Sequence, residues 1–442
     1  MKIKLAFLLI FLLCFGSIAL VYGAEKKTDP YAPVYSKEPL KAAPLKDPVS
    51  MLLAFPLELV KWPVDQALLW TEKLRLDKKT KWLYEKSVEY GVTPIFDSLD
   101  FASGLSFFYG GSFDLIRMTR LKEKYPDMIA KVSINHGTST YFQVGTEVGF
   151  QRIAETGLHA GSFFDYENSR DETFYGIGPN SSLGDSTSYI KEKTTVGVSA
   201  GYEFSPAWDL TSQVAYDHVN IKNRAHSGKG DITQIFSRQD IPGLHGDDLL
   251  GLSLKLTRDT RDSKEDATKG SYQKLSLKFT EGVDSSPARY LTYQLDMAKY
   301  FQLASPRRIL VTRLFGEFNQ TVNHGTVPFY EMTKLGGAGL FPRPGQTERA
   351  FVYNRFCGQS AILLNLEYRY TIWEYREFQM KTAFFVDEGQ VSKNFGTFQF
   401  DNFKTSYGLG FYLSYSKLML LNFSVAHGDE GTQFYVENKV PF

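Results

Sequence analysis

From about residue 102 to its end, this chain alternates apolar and polar residues in one short segment after another. Leu252, Leu254 and Leu256 oppose Ser253, Lys255 and Thr257, and Leu275, Leu277 and Phe279 oppose Lys274, Ser276 and Lys278. Leu291, Tyr293, Leu295 and Met297 oppose Thr292, Gln294 and Asp296, and near the end Leu421, Phe423 and Val425 oppose Asn422, Ser424 and Ala426. A period of two places successive side chains on opposite faces of a strand. Each segment alone also fits a half-exposed soluble sheet, but the array together points to one large sheet system. After the N-terminal stretch, no segment supplies the roughly 18 uninterrupted apolar residues of a membrane helix. A membrane location therefore requires strands. Only a closed barrel satisfies every backbone polar group in hydrocarbon.

Composition narrows this further. With 50 basic and 49 acidic residues and a formal charge of +1, the 442-residue chain has no nucleic-acid footprint. Its 26 Tyr and 35 Phe match the aromatic girdles that a barrel places at two membrane interfaces. Residues 1–23 read as an export signal: Lys2 and Lys4, the apolar run Leu5 to Leu20, then Val21-Tyr22-Gly23 ahead of Ala24. Phe15 follows Cys14, which argues against a lipidation site, so Cys357 is the single cysteine of the mature chain and no internal disulfide is expected. The seven histidines are scattered without metal-type spacing, and Gly176-x-Gly178 lacks the Lys-Ser/Thr of a phosphate loop. No cofactor, metal or catalytic site is expected, and the barrel-phospholipase reading is set aside.

Residues 24–101 form a different zone. Pro30, Pro33, Pro39 and Pro44 mark an extended periplasmic tether, and Asp47-Pro48 opens a set of short, Pro-broken helical segments that end near Gly91 and Pro94. The barrel is expected over 102–442, as an all-β transmembrane antiparallel β-barrel. About fifteen strands can be placed, five of them after a long extracellular loop over 321–356. Because single-chain barrels have even strand numbers, sixteen are expected, with the unplaced one inside 102–190.

The most informative stretch is Lys334 to Gly389. In LLNLEYRY (Leu363 to Tyr370), Asn365, Glu367 and Arg369 share one face, while Ile362, Leu364, Leu366, Tyr368 and Tyr370 share the other. In FFVDEG, Asp387 opposes Phe384 and Val386. Two carboxylates thus point one way from neighbouring strands, beside a Gly/Pro-rich loop that carries arginines. Two arrangements fit the pattern: an arginine held between the acids by charge-assisted hydrogen bonds, or ions lining a wet lumen without fixed pairing.

Four patches resemble the BamA/TamA-type outer-membrane barrel superfamily, also called the bacterial surface antigen family. TRDTRDSKEDATKG (Thr257 to Gly270) is similar to its D-x-R-D…G hairpin, here Asp259, Arg261, Asp262 and Gly270. FYGIGPNS (Phe174 to Ser181) is similar to its Gly-rich segment, and LGGAGLFPRPG (Leu335 to Gly345) to the G-G…R-G-F/Y motif of its sixth extracellular loop. LEYRY and FFVDEG resemble the strands that follow. The resemblance implies a sixteen-strand barrel whose sixth loop folds into the lumen, its arginine held by Glu367 and Asp387. It assigns that arginine to Arg343, with Arg349 as second choice. Pro344 departs from the pattern, standing where the family has glycine. The last strand places Phe434, Val436, Val440 and the terminal Phe442 on one face, resembling the C-terminal aromatic signal that such barrels show to the barrel-insertion machinery.

Most members also carry periplasmic β-α-α-β-β modules, and none is expected in residues 24–91. The resemblance implies an outer-membrane protein of a Gram-negative-type bacterium, contacting membrane lipids and assisting insertion or translocation of polypeptide or lipid clients. The alternative is a passive pore or structural barrel.

Overall fold

In a computed structural model of the chain, the described residues are 86–100, 106–119, 121–137, 141–224, 229–237, 241–337, 347–375, 378–415 and 418–437. The expected signal over 1–23 and residues 24–85 of the expected tether and short helices over 24–101 lie outside them. Sixteen long strands follow one another: β1 (Val92–Asp100), β2 (Ser106–Asp114), β3 (Met128–Gly137), β4 (Tyr141–Phe150), β5 (Leu158–Phe174), β6 (Thr187–Ser205), β7 (Trp208–Asn223) and β8 (Asp248–Asp259). The series continues with β9 (Gly270–Gly282), β10 (Arg289–Gln302), β11 (Arg308–Thr321), β12 (Ser360–Tyr375), β13 (Phe378–Ser392), β14 (Lys404–Tyr415), β15 (Leu418–Gly428) and β16 (Gly431–Glu437). Each pairs antiparallel with the next, and the order returns to its start where Ser98 and Leu99 of β1 meet Glu437 and Val436 of β16. A two-residue strand, Gly230–Asp231, lies parallel on Thr187 and Ser188 and spans nothing.

The first strand corrects the sequence reading. β1 begins at Val92, not near residue 102, and it is the strand that was expected inside 102–190. Two features conceal it. Pro94 suggests a breaker, and a register shift between Phe96 and Leu99 interrupts the alternation. At a strand near a seam, a residue without a ladder donor is tolerated.

Alternation elsewhere sorts the faces as a lipid-facing barrel requires. Leu252, Leu254, Leu275, Leu277, Leu364 and Leu366 are all exposed on the outer face. Asn365, Glu367, Arg369, Asp387, Asn422 and Ser424 are fully buried on the inner one. This reverses a soluble sheet: apolar side chains meet acyl chains and polar groups satisfy one another inside. The connections differ by end. Those at residues 206–207, 376–377 and 416–417 are only two residues long, while 175–186, 224–247 and 322–359 are long. The tight end is the periplasmic one in such barrels, and the long loops are extracellular.

The extracellular loops carry an apolar core of their own. Phe329, from the 322–359 loop, contacts the rings of Phe174, Tyr189 and Tyr330 with centroids 5.1, 5.1 and 5.6 Å away. Ile232, Ile241 and Leu244 from 224–247 complete this cap, in which Cys357 is buried.

Leu254 and Leu277 face each other across β8 and β9 on the outer surface. Leu254→Arg is expected to cost about 2–4 kcal/mol of barrel stability in a lipid bilayer if Leu254 sits near the midplane. Ser253→Arg, on the lumenal side, is expected to cost less than about 1 kcal/mol. Urea unfolding in vesicles distinguishes them, and equal costs would contradict the assigned faces.

Candidate functional site

The 322–359 loop turns into the barrel because its backbone is built to do so. Thr333–Leu335 pairs antiparallel with Phe356–Gly358 to make a stem. Gly336 and Gly337 then take φ of +116° and +95°, which a side chain would strain. A Cβ on Gly336 would also lie 2.4 Å from the Val352 carbonyl. Gly337 pairs with Glu348, the residue just before Arg349.

Arg349 is fully buried and held on several sides. Its Nε and Nη2 donate to Asp387 Oδ2 and Oδ1 at 2.9 and 2.7 Å, and Nη1 donates to Glu367 Oε2 at 2.6 Å. Its backbone N–H reaches Asp387 Oδ2 at 3.2 Å. The guanidinium lies on the Phe385 ring, 3.3 Å from the centroid.

The strand register explains this geometry. Asp387 stands between Asn365 of β12 and Ser406 of β14, and Glu367 stands opposite Phe385. Asn365 Nδ2 and Ser406 Oγ donate to Asp387 at 2.8 and 3.3 Å. Tyr412 Oη donates to Glu367 Oε1 at 2.9 Å, and Arg369 Nε donates to the same oxygen at 2.6 Å. Burial opposes the Arg349 charge, but Asp387 and Glu367 outweigh it and raise its pKa above the ordinary guanidinium value.

Arg349 therefore occupies the place that the sequence reading gave first to Arg343, which falls in 338–346 and lies outside the described residues. A signal in the sequence favours Arg349. The family motif is arginine, glycine, then an aromatic, and Arg349-Ala350-Phe351 keeps the aromatic where Arg343-Pro344-Gly345 does not. Ala350 and Phe351 are buried among Phe315, Leu363, Phe385 and Ala426. A Cβ on Gly428 would come within 2.7 Å of Ala350 Cβ, so both positions must stay small.

Farther up the loop, Arg355 was not anticipated. It donates to Glu430 on the β15–β16 turn at 2.8 Å and to the Ser181 carbonyl at 2.7 Å. Gly178 N–H donates to the Cys357 carbonyl at 2.7 Å. Gly176 and Gly178 have φ of +103° and +111°. FYGIGPNS is thus a bracket for the loop.

The hairpin motif organises itself. Arg261 Nε and Nη2 donate to Asp259 at 3.0 and 2.8 Å, and Asp262 Oδ1 accepts the Thr268 and Lys269 N–H groups at 2.8 and 3.1 Å. Gly270, at φ +101°, passes so close to the Thr260 carbonyl that a Cβ would sit 2.1 Å away. In the last strand, Phe434 is exposed on the outer face and Val436 pairs with Leu99, while Val440 and Phe442 lie outside the described residues. Among the described residues, no group of three His, Cys, Asp or Glu side chains is arranged to hold a metal.

A sixteen-strand antiparallel barrel with a long extracellular loop turned inward and pinned by one arginine defines a class of outer-membrane β-barrel. The chain belongs to the Omp85 superfamily: the Omp85 superfamily domain matches residues 130–437. Its fold is similar to BamA from Haemophilus ducreyi lacking POTRA domains 1–3, at 17% identity and a TM-score of 0.57, over 78% of this chain and 69% of that one. CdiB from Acinetobacter baumannii is a further structural match at 11% identity and a TM-score of 0.49, over 78% of this chain and 59% of that one. No curated protein sequence matches the chain.

Glu348, next to Arg349, is fully buried, and neither carboxyl oxygen meets a hydrogen-bond donor among the described residues. It is packed over Gly389, where a Cβ would come within 3.0 Å of the carboxyl. Burial, then the charges of Asp387 and Glu388, push its pKa well above the usual carboxylate range. The seated loop thus binds a proton that the free side chain releases near pH 4. That stabilisation is complete below the free value and is lost as pH rises towards the raised one.

Four outcomes are expected. Arg349→Ala strands two buried carboxylates and costs the loop seat about 3–5 kcal/mol, read as protease cleavage within the loop of the folded barrel. Arg343→Ala leaves cleavage unchanged, and Arg349→Lys recovers little because an ammonium cannot bridge the acids bidentately. Glu348→Gln flattens the rise of loop cleavage as pH increases above about 4; an unaltered profile would assign that rise to another group.

Proposed function

We propose that this protein is a non-enzymatic outer-membrane barrel that assists insertion or translocation of polypeptide or lipid clients at the outer membrane, and that its sixth extracellular loop is a latch that governs access to the lumen. The observation that carries the latch is the complete enclosure of Arg349 between Asp387 and Glu367. A bidentate, fully desolvated pair gives one discrete seated state, because partial withdrawal leaves charge unpaired in a dry site. Membership in the superfamily supports the general role. The client class is our reading, as are export through the periplasm, contact with the barrel-insertion machinery during biogenesis, and the absence of a cofactor.

A second reading, a passive pore or structural barrel, draws support from a different observation. A cavity of about 930 Å³ opens along the wall from β3 to β6, lined by Lys131, Glu147, Arg152, Asp165 and Glu203, and no described residue of the 322–359 loop lines it.

Planar-bilayer recording separates the two. A latched barrel is expected to be almost silent and to gain conductance in Arg349→Ala or Asp387→Ala, whereas a large steady conductance in the unaltered protein would favour the passive pore. For the assembly role, depletion of the protein is expected to lower the levels of other outer-membrane barrels. Unchanged barrel and lipid levels after depletion would remove that role.

A further inference from the structure

The connection between β8 and β9 lies at the periplasmic end, opposite the latch, since three strands separate it from the 322–359 loop. It does not hang below the barrel. Ala267 is buried against Ala298, Tyr300, Ile309 and Val311 on the inner wall of β10 and β11. Asp266 extends farther and meets Lys381 of β13, four strands away around the wall, with both side chains almost completely buried. Arg261 lies on the Tyr272 ring, 4.8 Å from its centroid, and Asp259 holds it there. A surface turn needs none of this. Short periplasmic turns ordinarily keep their charges in water, where an aspartate loses nothing by remaining solvated.

We propose that residues 260–269 are a second, periplasmic closure of the lumen, held in the barrel mouth by the Asp266–Lys381 pair and free to swing out when that pair is lost. The physical basis is the asymmetry of the two partners. Lys381 is fixed on a spanning strand and cannot leave the wall. Asp266 sits on a ten-residue connection that can return it to solvent. Loss of either charge therefore acts on the turn. The hairpin's internal bonds, Asp262 to Thr268 and Lys269 and Asp259 to Arg261, involve only the turn and β8, so it can move as one unit with Gly270 at its base, giving up the bond that Gln302 of β10 donates to Thr268 Oγ1 at 3.1 Å. The closure is independent of the client and of translocation.

Thiol accessibility tests it in the full-length protein in proteoliposomes. Ala267→Cys places a thiol at the buried tip, and native Cys357 lies under the opposite cap. Labelling at position 267 by a membrane-impermeant maleimide is expected to be slow. Adding Asp266→Asn is expected to accelerate it by at least about tenfold, with the barrel still folded by heat-modifiable migration, since labelling follows the population of the open turn. Lys381→Met, which leaves no charge in the wall, is expected to do the same. The exchange Asp266→Lys with Lys381→Asp is expected to restore protection. Unchanged labelling in a folded Asp266→Asn or Lys381→Met barrel would overturn the proposal. So would an exchanged pair as open as the singles. Arg349→Ala without any change at position 267 would leave this closure standing whatever becomes of the latch.

Discussion

A charge in the seat of the 322–359 loop has no water to fall back on, and most of the architecture around it follows from that. Arg349 is tolerated because Asp387 and Glu367 present three carboxylate oxygens to its three nitrogens and Phe385 covers its face. The acids are tolerated because Asn365, Ser406, Tyr412 and Arg369 complete their coordination. Removing any one member exposes the others to an uncompensated desolvation cost. The loop is therefore seated as a unit, and the strands after it must hold their register for the seat to exist.

Glycine and alanine set how close the loop can come. Gly336 lets its backbone turn against Val352, Gly389 leaves room for the Glu348 carboxyl, and Gly428 faces Ala350. These positions carry no chemistry. Their contribution is clearance, and it is what brings the Arg349 backbone within hydrogen-bond distance of Asp387.

Much of this was legible in the sequence, and the failures have physical causes. Period-two alternation gave the faces of β8, β9, β12 and β13, and placed Glu367 and Asp387 on one side. β1 was missed because Pro94 and the irregularity between Phe96 and Leu99 break that period. The choice of Arg343 rested on distance from Gly336-Gly337, a weak guide in a loop whose length varies freely; the aromatic at Phe351 was the better signal, since burial demands it. Glu348 and Lys381 could not be anticipated. A charged residue on a loop or strand reads as solvated until the surrounding walls are known.

The cap and the seat differ in what must precede them. Arg349 finds its acids on the two strands immediately after it, 18 and 38 positions away. The upper part of the same loop needs partners far earlier in the chain: Asn354 bonds Glu172 across 182 positions and Arg355 bonds Ser181 across 174. Bringing distant segments together costs more chain entropy than bringing neighbours together. The inner end of the loop can thus form with the C-terminal hairpins, while its outer end must wait until β5 and β6 have come round. Chain entropy thus favours anchoring the loop from the inside outward, with the long-range bonds to Glu172 and Ser181 last.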